Sequence, residues 1–148
     1  MKNHHKSDPL PALTFRLGEQ PYAVAIEDVV EVASMVELTR LADSPPHMLG
    51  VANRHGMMLP IYDLRQIFGH EAAPLDSYTL FIVIAYNGQI AGVVVDEVHQ
   101  VEYIDPAQRQ PTAGKYIRDI VSHKGQLVQL ISLPQLLASL SEGFIEGR

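Results

Sequence analysis

Between Arg54 and Asp63 the chain sets an arginine, a histidine and an aspartate within ten residues, inside GVANRHGMMLPIYDLR (Gly50 to Arg65). An arginine offers a rigid, two-pronged donor to carboxylate or phosphate. A histidine can shuttle protons or bind a metal, and an aspartate can act as base or ligand. Four readings follow: a catalytic site, a metal site, a docking loop, or only a turn between two strands. The remaining residues weigh against the first two. No serine sits in a G-x-S-x-G elbow, so a nucleophile has no motif behind it. The seven histidines (4, 5, 47, 55, 70, 99 and 123) show no H-x-x-x-H or H-E-x-x-H spacing outside the N-terminal tail. The glycines form neither G-x-G-x-x-G nor a P-loop. The sequence therefore reads as a non-enzyme with no metal and no cofactor.

Composition narrows the partners. The 148 residues carry a formal charge of −6, and basic residues do not cluster beyond Met1 to Lys6. Nucleic acid lacks its electrostatic footprint. There is no cysteine, which removes disulfides and thiolate sites and suits a reducing cytoplasm. The longest apolar runs fall far short of the roughly 20 residues needed to span a bilayer. Residues 1–11 read as a disordered tail without a signal-peptide core. Residues 141–148 read as a second tail; its IEGR matches a protease-recognition sequence of recombinant expression and is excluded.

The elements that must position Arg54, His55 and Asp63 are mostly strands. Apolar runs at Ala12 to Leu17, Tyr22 to Ile26, Met57 to Ile61, Tyr78 to Ala85, Ile90 to Val95, Val98 to Ile104 and Leu127 to Ile131 are short. Turn signals such as GEQP, HG, NG and KG separate them, a rhythm of antiparallel barrels or sandwiches. Pro60 implies an edge or a bulge. Asp63 and Ser132 each precede an apolar helical run and stand three residues before a glutamine, Gln66 or Gln135, the spacing of a capping box.

Those caps are 69 residues apart, and the same offset aligns much of the chain with itself. Tyr22 to Val32 falls on Ala91 to Val101, Gly56 on Gly125, Ile61 on Leu130 and Leu64 on Leu133. Two half-domains are expected, about 12–77 and 78–140, joined by the linker His70 to Ser77. Each would be a small barrel of about five strands. Halves this small bury too little alone, so they should share a core and leave a groove where they meet. Glu31, within VVEV, is either a solvated strand position or a carboxylate at the groove rim.

The order and spacing of these residues resemble the CheW-like domain of bacterial chemosensory signalling, over roughly Leu13 to Leu140. The family pattern G-V-x-N-x-R-G-x-x-x-P-x-x-D-L-R is matched at Gly50, Val51, Asn53, Gly56, Pro60, Asp63, Leu64 and Arg65. The resemblance implies an all-β fold with short helices, two five-stranded SH3-like barrels packed around a shared core. It implies a cytoplasmic, non-catalytic adaptor recruited to membrane receptor arrays, coupling chemoreceptor cytoplasmic tips to the regulatory domain of a CheA-type histidine kinase. Val29, Glu31, Gly50 and Val101 would line the groove for a helical tip, with Asn53, Arg54, His55 and Gly56 completing the docking set. Gly50→Asp would then block docking and leave the fold intact. In the family an arginine usually precedes the turn glycine. Here that place is held by His55, and Arg54 stands one residue earlier, on the opposite face of a strand. The receptor contact is expected to differ, as in an adaptor for pili, surface behaviour or second-messenger synthesis. The competing reading is a stand-alone small-molecule sensor using the groove.

Overall fold

A computed structural model describes residues 8–110 and 114–146. The strands are β1 (Leu10–Leu17), β2 (Gln20–Ala25), β3 (Val29–Ser34), β4 (Met48–Arg54), β5 (Met57–Asp63), β6 (Leu80–Tyr86), β7 (Gln89–Val95), β8 (Glu97–Ile104), β9 (Arg109–Gln110), β10 (Ile117–His123) and β11 (Gln126–Ile131). The helices are α1 (Leu64–Ile67) and α2 (Leu133–Glu146). All seven expected runs coincide with strands over most of their length; Ile26, Tyr78 and Thr79 fall outside. The tails differ from expectation. β1 already begins at Leu10, because its partner β8 extends to Ile104 opposite it. α2 continues to Glu146, beyond the expected end at Leu140. Residues 1–7 and 147–148 of the expected tails lie outside the described residues.

Two sheets form, ordered β8-β1-β2-β11-β10-β9 and β3-β6-β7-β5-β4. The architecture is the expected pair of small barrels, one carrying the two-residue β9 as a sixth strand. The assignment of one barrel to each half of the chain is wrong. β1 and β2 join strands from the second half, and β6 and β7 join strands from the first. The physical reason is that each leading hairpin leaves its half and completes the sheet of the other.

The 69-residue repeat is nevertheless accurate in register. β1–β8 pairs Leu13 with Val101, and β6–β3 pairs their counterparts Ile82 and Val32. The parallel pairings match too, Leu130 to Ala23 and Ile61 to Gly92. A bulge between Met48 and Gly50 recurs between Ile117 and Asp119.

Period-2 alternation divides the side chains between three cores. Ala52, Leu59, Ile61, Phe81, Val83 and Val94 fill one barrel. Ala12, Ala23, Val121, Val128 and Leu130 fill the other. The alternate residues, including Leu13, Phe15, Ile82, Ile84 and Val93, meet between the barrels with Leu133, Leu136 and Leu137 of α2. Strands buried on both faces explain the unbroken apolar runs FIVI and VVV. Pro60 sits in a central strand, but the parallel pairing to β7 starts only at Ile61, so that side of β5 is unpaired at the proline.

The Asp63 cap forms, by half of the expected box. The Asp63 carboxylate accepts the N–H of Arg65 at 3.1 Å. The Asp63 and Ser132 amides do not wait for glutamine side chains. They donate to the carbonyls of His47 and Tyr116, at 2.8 and 2.7 Å. His47 and Tyr116 are themselves 69 residues apart.

Candidate functional site

The Arg54–His55 pair belongs to the β4–β5 hairpin. His55 and Gly56 are its two turn residues, with φ of 54° and 79°. Two consecutive positive φ values are the signature of a tight type I′ hairpin, which twists with its strands. His55 is thereby turned outward, its side chain 78% exposed. Arg54, on the last residue of β4, turns inward over the Phe81 ring, 5.8 Å from its centroid. Its Nη2 donates to Glu31 Oε1 at 2.8 Å, while His55 Nε2 lies 3.6 Å from Glu31 Oε2. β3 and β4 are the two edges of their sheet, so Glu31 and Arg54 clasp that barrel shut.

The other barrel has the same clasp. Arg54 and His55 repeat as His123 and Lys124. His123 Nε2 lies 2.7 Å and Lys124 Nζ 3.0 Å from Glu102 Oε1. Glu102 stands on β8, two residues beyond the repeat position of Glu31 and so on the same strand face. His123, Lys124 and Gln100, in that order, hold its carboxyl well below the usual range, down to about 2. The pair that looked like chemistry is thus first a barrel closure, built twice.

Asp63 and Arg65 are buried and bind each other by two prongs, at 2.9 and 3.1 Å. Arg65 Nη1 also lies 3.5 Å from Asp96, whose other oxygen accepts the N–H of Gly18 at 2.7 Å. Burial alone would lower the Arg65 guanidinium; Asp63 and then Asp96 raise it, so it stays charged. Three elements meet there: the start of α1, the end of β7 and the β1–β2 turn.

Gly50 does not line an open groove. Its φ is 153°, and a Cβ there would lie 2.8 Å from the Thr39 carbonyl oxygen. Thr39 and Val51 exchange two backbone hydrogen bonds, at 2.8 and 2.9 Å, directly over it. The glycine is there because the segment after β3 crosses it at backbone contact. The expectation that Gly50→Asp leaves the fold intact fails for this reason.

Of the other site residues, Val29 packs on the shared core and its repeat mate Val98 does the same. From there β3 and β8 run outward with uncovered apolar side chains: Val30 at 56% exposure and Val32 on β3, Val101 at 47% and Tyr103 on β8. Val32 stands beside the buried Ile82, and Val101 beside the buried Leu13. Asn53 is exposed opposite Met58. The structure brings Glu31, Arg54 and His55 together and places Val101 on the other sheet. Sequence reasoning missed Val32, Met58 and Leu127, although the offset pairs Val32 with Val101 and Met58 with Leu127, all four exposed.

No group of three or more His, Asp or Glu side chains is placed to hold a metal among the described residues. Two surface clefts of about 180 and 300 Å³ lie against α2. Ligand pockets span about 300–1,000 Å³ and enclose their ligand. Neither cleft is a closed apolar pocket with converging polar groups, and the sensor reading finds no support.

Comparison with known proteins agrees with this geometry. The chain is 30% identical to the chemotaxis protein CheW of Klebsiella aerogenes, over 91% of this chain and 86% of that protein. It is 28% identical to the protein FrzA of Myxococcus xanthus, over 83% and 82%. The scaffolding protein TtCheW from Thermoanaerobacter tengcongensis superposes with a TM-score of 0.76 at 28% identity, over 83% of this chain and 88% of that one. The family model for the CheW-like domain matches residues 11–141, and the chain belongs to that family.

Proposed function

We propose that the protein is a non-catalytic adaptor of a chemosensory array, which couples a receptor's cytoplasmic tip to the regulatory domain of a CheA-type histidine kinase. The observation that carries this reading is the uncovered apolar side chains on two edge strands, β3 and β8, each running out from a residue packed on the core between the barrels. A helical tip binds by laying apolar residues on such a surface, and a rim carboxylate such as Glu31 orients it. In this reading Val29, Glu31 and Val101 face the receptor, with Val30 and Val32 beside them. The hairpin Asn53 to Gly56 contributes its exposed edge, and Gly50 acts only by holding the fold. The adaptor works in the cytoplasm beneath the receptors; no described helix is long and apolar enough to cross a membrane.

The test is binding of Val32→Lys and Val101→Lys to a purified receptor-tip fragment and, separately, to the kinase regulatory domain. Both sites are exposed, so the circular dichroism spectrum should be unchanged. A tenfold or greater loss of tip affinity is expected, since a lysine head must be desolvated in an apolar contact. Wild-type affinity in both variants removes the groove assignment. Failure of the unmodified protein to bind the kinase domain removes the adaptor reading itself.

A further inference from the structure

The chain has no cysteine, which leaves methionine as its sulfur open to a two-electron oxidant. Burial divides the five methionines. Met48 is buried, and Met35 is half-buried against the core of its barrel. Met1 lies outside the described residues. Met57 and Met58 are 49% and 60% exposed, side by side at the start of β5. Adjacent strand residues point to opposite faces, so this end of the barrel shows a thioether on each. Met57 stands directly opposite Arg54, whose guanidinium holds Glu31, and Met58 stands opposite Asn53. The parallel pairing of β5 to β7 begins only at Ile61, so β7 does not pair with β5 beside the two methionines.

The other barrel supplies the comparison. At the 69-residue offset Met57 and Met58 become Gln126 and Leu127. Leu127 is 58% exposed, so that barrel end presents an apolar side chain at the same place, uncovered to the same degree as Met58. An exposed apolar side chain is thus common to both ends, and the sulfur is peculiar to one. A leucine there is inert to peroxide; a thioether is not.

We propose that Met57 and Met58 form an oxidant-responsive modification site, at which a peroxide converts the thioethers to sulfoxides and loosens docking at the β4–β5 hairpin. In each step a sulfur lone pair attacks one peroxide oxygen. The O–O bond breaks, an S–O bond forms and, with a proton transfer, water leaves. The sulfur is oxidised by two electrons and the peroxide is reduced by two. The product is polar where the thioether was apolar, and sulfoxide reductases return it. A partner covering the two methionines must then desolvate two sulfoxide oxygens, whereas the fold, which leaves them in solvent, does not. The effect on docking rests on the adaptor reading; the reactivity of the site does not.

The full-length protein is treated with dilute hydrogen peroxide under native conditions, and each methionine is followed by peptide mass spectrometry. Met57 and Met58 should react about tenfold faster than Met35 and Met48, with an unchanged circular dichroism spectrum. The treated protein should bind a purified receptor-tip fragment several-fold more weakly, and methionine sulfoxide reductase should restore the affinity. The double variant Met57→Leu/Met58→Leu, compared with its own untreated affinity, should show no response to peroxide. Equal rates at all four described methionines overturn the site. Unchanged affinity of the oxidised protein, or a loss that persists in the leucine variant, overturns the effect on docking. Failure of the untreated protein to bind the tip overturns the adaptor reading and the docking effect with it, while the relative rates still decide the site.

Discussion

Arg54 Nη2 and His123 Nε2, 69 residues apart, each lie within 2.8 Å of a carboxylate on the opposite edge of their own barrel, Glu31 and Glu102. One barrel is closed by an arginine and the other by an imidazole ring backed by Lys124. In the first, Arg54→Ala and Glu31→Gln should show a coupling of about 1 kcal/mol in a double-mutant cycle of urea unfolding, since the pair is partly shielded from solvent. Additive effects would mean that the clasp contributes nothing.

In the second barrel the sign with pH can be worked out. The Glu102 carboxyl is held down to about 2, below its ordinary 4.5. Its ionised form is therefore favoured by folding. That stability is fully present above about pH 4.5 and is lost as pH falls toward 2. Glu102→Gln should lower the urea midpoint at pH 7 by a small margin. The gap to wild type should narrow below pH 4.5. A gap that stays constant down to pH 2 would contradict the carboxylate's role.

The Asp63–Arg65 pair, with Asp96 beside it, is the most deeply buried ion pair among the described residues. Arg65 and Asp63 are 3% and 2% exposed. Removing one partner of a buried pair leaves the other uncompensated, at about 3–5 kcal/mol. Asp63→Ala should cost that much, plus the lost helix cap. Exposed Arg118→Ala should cost under about 0.5 kcal/mol. Chemical denaturation of the two variants side by side checks the contrast.

Gly50→Ala should destabilise the protein by more than Gly56→Ala does. Both glycines have positive φ, but a Cβ at Gly56 meets nothing within 4 Å, whereas at Gly50 it meets backbone. Gly56→Ala should cost about 1 kcal/mol and Gly50→Ala several. Equal thermal shifts would show that the Thr39 segment yields freely.

A protease site placed within residues 72–75 and cut in the folded protein should leave one particle. The two fragments should co-elute and unfold in one transition, because each sheet contains both. Separation of the fragments without denaturant would contradict the sheet order.

Much of this was legible in the chain. The 69-residue offset aligned the repeated turn glycines Gly56 and Gly125 and the starts of both helices, because duplicated side-chain patterns keep their backbone demands. The partner of each strand was not legible. Alternation tells which face of β1 is buried, yet Leu13 and Phe15 read the same whether their neighbour is β8 or a strand of their own half. β4 and β10 were hard to see for another reason: polar residues such as Asn53, Arg54, Arg118 and Asp119 interrupt their apolar positions. Arg54 and His55 read as a docking pair since sequence shows charge but not its partner. Only the fold puts Glu31 across from them.

The strand exchange also sets an order for the protein's birth. The sheet β3-β6-β7-β5-β4 has all its strands once Val95 has been made. β2, made about a hundred residues earlier, must wait for β11, since Tyr22 pairs with Gln129. At about 5–20 residues per second, the first hairpin spends several seconds with its second neighbour still unmade. That long-range pairing makes the barrel of β1 and β2 the late step of folding. It leaves the interval between the making of β2 and that of β11 as the time when a slow ribosome or a chaperone has most to do.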